Sequence, residues 1–167
     1  MMPSDFIEFS RPFVDACKNI FTTMVMCNLD AQKPTIKTDN TSRGDITAVI
    51  GLSGELEKSG KKTPYKAMLV LSFPYETYFK VASAMLSETY TTYHPDIHDL
   101  GSEIVNMIMG NAKRDLKTLG YTSNMAIPSL IEGKGHSLTY PAGTTTVLIP
   151  FASAHGPLYM EICYSAD

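Results

Sequence analysis

Residues 99–119 read Asp-Leu-Gly-Ser-Glu-Ile-Val-Asn-Met-Ile-Met-Gly-Asn-Ala-Lys-Arg-Asp-Leu-Lys-Thr-Leu. At about 100° per residue, Ile104, Val105, Ile108, Met109, Ala112, Leu116 and Leu119 collect on one wide face, which predicts a helix with that face in the core. The opposite stripe holds Asp99, Ser102, Glu103, Asn106, Gly110, Lys113 and Lys117. Glu103 and Asn106 are three apart and therefore neighbours on that stripe. Gly110 follows one turn later. A mid-helix glycine costs about 0.5–1 kcal/mol against alanine, and close approach of another surface is one reason to accept the cost. A solvated helix face with an incidental glycine is the plainer alternative. A carboxylate and an amide supply no nucleophile, but they can anchor to a cation and position a water.

Outward from this helix, the pattern predicts a first helix over residues 4–27. Ser4 is its candidate N-cap, with Pro3 just outside. Phe6, Phe9, Phe13, Ala16, Cys17, Ile20, Phe21 and Met24 form its apolar stripe. Residues 32–39 give a weak strand signal. Residues 45–53 and 66–73 give stronger ones, separated by a polar, glycine-bearing connection of hairpin type over residues 54–64. Pro74 opens a helix whose apolar face holds Tyr78, Val81, Ala82, Met85 and Leu86. The helix of residues 96–119 is closed by Gly120. Strands over residues 125–131, 144–151 and 158–164 complete the chain. In the last, Leu158, Met160, Ile162 and Tyr164 face one way and Tyr159, Glu161 and Cys163 the other. Helices and strands segregate, which favours α+β with a largely antiparallel sheet.

The chain has 167 residues, of which 44% are hydrophobic and 19% charged. That predicts one globular domain spanning residues 1–167, with enough chain to bury a core. A formal net charge of −3 gives no electrostatic case for a nucleic-acid partner. No apolar run approaches the roughly 20 residues of a membrane span, and no secretory signal is visible at the N-terminus. Three cysteines, Cys17, Cys27 and Cys163, are an odd count without CxxC spacing. They read as reduced thiols in a cytoplasmic protein.

Other constellations are weaker. His94 and His98 are four apart, a spacing that can bind zinc on a helix, but Pro95 lies between them and no third ligand is evident. No metal site is assigned. Gly51-Leu-Ser-Gly54 lacks the pattern and context of a nucleophile elbow. Gly60-Lys-Lys-Thr63 has the wrong glycine spacing for a phosphate loop and reads as a hairpin tip. His136 and His155 fall in glycine-rich turns and read as solvated.

Glu103-x-x-Asn106, preceded by Asp99 and followed by Met107-Ile-x-Gly110-Asn111-Ala112, resembles the signature of the CheC/CheX/FliY phosphatase family. Residues 71–86 resemble the strand and first central helix of its CheX branch. CheC-like members carry a second motif on the first helix. Here that place reads Asp15-Ala-Cys-Lys18-Asn19; Asp15-x-x-Lys18 is not Glu-x-x-Asn, Asn19 is one residue late, and Glu8-x-x-Arg11 also fails. One site per chain is the CheX pattern.

The resemblance implies a CheC/CheX-like fold, a largely antiparallel β-sheet packed against long α-helices, and a homodimer. It implies a chemotaxis-type phosphatase acting on the aspartyl phosphate of a phosphorylated CheY-like receiver. Asn106 would orient the attacking water and Glu103 would pair with the receiver's lysine. Asp99, Ser102 and Lys113 would border the partner, and Gly110, by the physical argument above and not by the resemblance, would keep the adjoining surface low. No cofactor of its own is implied; Mg2+ is expected on the receiver. The alternative is a non-catalytic dimerisation or docking module of the same fold. A flagellar-switch component would want a further switch domain.

Overall fold

A computed structural model of the chain describes residues 4–166. Two long strands, β3 (Ile46–Lys58) and β4 (Lys61–Phe73), form its spine. They pair antiparallel without interruption from Ile46↔Phe73 to Lys58↔Lys61. Ser59 and Gly60, both with positive φ (54° and 77°), make the two-residue turn, the conformation whose twist suits a tight hairpin. The polar connection expected over residues 54–64 is therefore mostly strand. Its polarity reflects a ladder that overhangs the core, where Glu55, Glu57, Lys61 and Lys62 face solvent.

Around this spine the sheet runs β1-β7-β8-β4-β3-β5. β7 is Thr145–Ala152 and β8 is Leu158–Ala166. Short strands close both edges. β1 (Asp30–Ala31) and β2 (Thr35–Ile36) pair with β7; β5 (Asn124–Met125) and β6 (Ser129–Glu132) pair with β3. All pairings are antiparallel. Edges broken into two short pieces offer little template for a further strand.

Three helices cover one face: α1 (Ser4–Ile20), α2 (Tyr75–Leu86) and α3 (Leu100–Thr118). Pro3 lies outside the described residues, and so does the side chain of Ser4, the expected N-cap. The expected continuation of α1 to residue 27 is instead a π-helical turn, Phe21–Val25, ended by Met26 in the left-handed region. The alternation of β8 is as the sequence predicts: Leu158, Met160, Ile162 and Tyr164 are buried in the same core as the helices. Phe9 of α1 anchors one end of that core. Its ring stacks on Tyr164 with centroids 4.3 Å apart and meets Tyr65 and Tyr121 edge-on. Full burial of one such side chain contributes about 1.5–3 kcal/mol.

The opposite face of the sheet is also covered. Residues 133–144 place Leu138 against Met68, Val70 and Cys163 in a second small core. Beside it, Lys37 Nζ lies 2.9 Å from Glu161 Oε1 and 2.6 Å from the Tyr140 hydroxyl, with both charged side chains fully buried. The sequence reading expected His136 to be solvated. It is half-buried, bonded through Nδ1 to Gly133 O (2.6 Å) and through Nε2 to Thr47 Oγ1 (2.7 Å), because the loop folds down onto the sheet. His155 is also half-buried; its N–H donates to Ser153 Oγ at 3.2 Å in the turn before β8. Cys17, Cys27 and Cys163 are free thiols, all buried. Among the described residues, no helix is long and apolar enough to cross a membrane.

Candidate functional site

α3 lies against α1 and across β3, and its inner face is closed by packing. Ile104, Val105, Ile108, Met109, Ala112 and Leu116 are all buried. Leu119 is only half-buried, since it sits past the helix end. Gly101 in the first turn sets how close the helix comes. A Cβ there would stand 2.9 Å from Leu130 Cδ1 of β6 and 3.5 Å from both Ala48 Cβ and Tyr78 Cε1. After the helix, Gly120 (φ +100°) turns the chain so that its carbonyl accepts the Glu57 N–H at 2.9 Å. The polar stripe is thus held rigidly by what lies beneath and at both ends.

On that stripe, Glu103, Asn106, Gly110, Lys113 and Lys117 are exposed, and so is Asp99 at the N-cap position. Ser102 is half-buried. Among the described residues, the side chains of Glu103 and Asn106 make no hydrogen bond or ion pair. The neighbouring Asn111 differs: its Nδ2 donates to Met107 O at 3.1 Å, so its amide is engaged within the helix. A Cβ at Gly110 would meet nothing within 4 Å. The chain's own packing does not require glycine there, in contrast to Gly101.

Charge is divided along α3. Asp99 and Glu103 sit at its start, and Lys113, Arg114 and Lys117 lie toward its end, the arrangement that the helix dipole favours. Next to the start stands a cluster of polar groups from three segments. The Tyr75 hydroxyl donates to Glu132 Oε2 of β6, a bond that pushes the Tyr75 phenol up to about 12. The Tyr93 hydroxyl is bonded to His98 Nδ1. Loss of solvent, then the carboxylates of Glu132 and Asp99, raise the Tyr93 phenol as well.

The two histidines have local tasks. His94 caps the short 3-10 turn Pro95–Ile97, accepting the Asp96 N–H at Nδ1 (3.1 Å). His98 is tied to Tyr93. Among the described residues, no group of three or more His, Cys, Asp or Glu is placed to hold a metal ion.

Tyr78 of α2 was read from sequence only as part of an apolar face. It is fully buried, and its hydroxyl accepts the Gly101 N–H at 2.9 Å and donates to Ile97 O at 2.6 Å. The signal was available: a buried tyrosine needs a partner for its hydroxyl. Which partner depends on tertiary contact.

A family model described as chemotaxis phosphatase CheX matches residues 46–152. Among solved structures, a CheC-like superfamily protein from Shewanella sp. PV-4 is 31% identical with a TM-score of 0.83, covering 95% of this chain and 98% of that one. The chemotaxis protein CheX from Vibrio vulnificus is 30% identical with a TM-score of 0.81, covering 95% and 99%. A chain of the CheX-CheY-BeF3-Mg2+ complex from Borrelia burgdorferi is 22% identical with a TM-score of 0.73, covering 95% and 97%. No curated protein sequence matches the chain significantly.

Proposed function

Because the chain belongs to the CheX family of chemotaxis phosphatases, we propose that it hydrolyses the aspartyl phosphate of a phosphorylated CheY-like receiver, with Glu103 and Asn106 as the working residues. The observation that carries the reading is the pair itself. A carboxylate and an amide stand one turn apart on an exposed helix face, unpaired, over a fully packed core. The Borrelia relative is crystallised with CheY, BeF3 and Mg2+, which supports a receiver as the partner.

Phosphoryl transfer to water needs an in-line nucleophile and charge stabilisation, and little covalent chemistry. The receiver brings the phosphorylated aspartate, its Mg2+ and a lysine. This chain brings Asn106, whose carboxamide can accept from a water and donate at the same time, so it fixes the water's position and orientation. Asn106 is neutral across the physiological range and is no general base. Glu103 pairs with the receiver's lysine and sets the docking register. Gly110 leaves the surface low beside them. Asp99, Ser102 and Lys113 border the contact. Holding a water in line removes several kcal/mol of orientational cost from the barrier.

The working unit is one domain over residues 1–167, cytoplasmic like its receiver, and a homodimer with one site per chain. The experiment is dephosphorylation of CheY-like receivers with the native protein and with Asn106→Ala. Acceleration by the native protein alone supports the reading. Binding of a receiver without acceleration supports the docking module instead.

A further inference from the structure

We infer that Tyr78 is a positioning residue for the phosphatase site, acting through the first turn of α3; this rests on the function proposed above. The first N–H groups of any helix lack intrahelical partners. At α3 the N-cap residue Asp99 makes no side-chain capping bond. The task falls to Tyr78, which reaches from α2 and accepts the Gly101 N–H at 2.9 Å while donating to Ile97 O at 2.6 Å. One hydroxyl therefore ties the end of the 3-10 turn to the start of α3. The phenol has no freedom to wander. It is fully buried, its ring meets Phe73 edge-on at 5.3 Å, and burial pushes its ionisation far above the ordinary range. On the other side, Leu130 of β6 closes on Gly101.

Glu103 is two residues after Gly101 and Asn106 is one turn further. Any shift or fraying of the first turn reaches Glu103 directly and tilts the helix that carries Asn106. A displacement of about 1 Å at a water-positioning group is enough to cost on the order of 100-fold in rate. Tyr78→Phe removes one atom, leaves the ring packing intact, and orphans both a buried N–H and a buried carbonyl.

The test pairs Tyr78→Phe with Tyr140→Phe. The second also removes a tyrosine hydroxyl, that of half-buried Tyr140, from a buried acceptor, Glu161, but on the opposite face of the sheet. Both variants should unfold at lower denaturant. With a phosphorylated CheY-like receiver as substrate, Tyr78→Phe should lower kcat by about tenfold or more, with KM changed less than about threefold. Tyr140→Phe should leave kcat within about twofold of native. Amide exchange on the native protein gives a check that needs no variant: Gly101 should be protected like the helix interior.

Equal kcat in Tyr78→Phe and native protein, or equal loss in both tyrosine variants, overturns the proposal. So does a Gly101 amide that exchanges freely. If Asn106→Ala abolishes turnover while Tyr78→Phe does not, the positioning role fails and the functional reading stands. If the native protein accelerates nothing, both fall together.

Discussion

Glu161 and Glu103 are glutamates of the same chain, and the fold treats them in opposite ways. Glu161 is fully buried on the outer face of the sheet, saturated at Oε1 by Lys37 and Tyr140. Its other oxygen has no partner in the structure. Glu103 lies in solvent with no hydrogen bond or ion pair among the described residues. A buried charge without a partner would unfold the region, so Glu161 must be paired within the chain. An exposed charge faces no such demand and stays available to another molecule. The contrast separates polar groups that hold the fold from those the fold leaves free.

The largest expected effect is on the buried side. Lys37→Met removes the cation and leaves Glu161 uncompensated, which should lower unfolding free energy by about 3–5 kcal/mol in urea titration. The double variant Lys37→Met, Glu161→Leu should recover most of that loss. A loss below about 1 kcal/mol in the single variant would break the comparison from this side.

The next effect is on the exposed side. Asn106→Ala should leave stability within about 0.5 kcal/mol and reduce turnover of a phosphorylated receiver by about 100-fold. Glu103→Ala should reduce turnover and also weaken binding, measured by titrating the receiver. Retained turnover in both variants would remove the assignment.

Gly110→Ala sharpens the contrast further. The added Cβ meets nothing in the chain, so helix propensity should raise stability by about 0.5–1 kcal/mol. If the receiver packs there, its affinity should fall at the same time. A gain in stability with unchanged affinity would place the partner surface elsewhere.

The smallest effect concerns a surface pair. Arg43 grips both oxygens of exposed Asp39 (2.9 and 2.8 Å) and holds its carboxyl at about 2. Since the folded value lies below the unfolded one, near 3.9, this pair contributes above about pH 4 and its contribution fades as pH falls toward 2. Asp39→Asn should narrow the difference in urea midpoint between pH 5 and pH 2 slightly. A wider difference in the variant would reverse the sign argued here.

Much of this was legible in the residues. The stripe of α3 could be read because 3.6-residue periodicity is local, and Glu103, Asn106 and Gly110 fall on the side the apolar face leaves free. The alternation in β8 could be read for the same reason. The hairpin itself is legible in residues 54–64, but its ladder runs further than their polarity suggests, because polarity reports exposure, not loss of strand pairing. His136 was misjudged because a glycine-rich turn gives no sign of what it folds onto.

By itself, then, the sequence determined the order of the three helices and the long strands, which of their faces are apolar, and which polar groups share one exposed stripe. These follow from spacing along the chain. Only the tertiary structure decided that Lys37 meets Glu161 across 124 positions, that Tyr78 holds the start of α3, and that Gly101 is required by packing while Gly110 is not. Those facts depend on distances between segments far apart in sequence, and no local period encodes them.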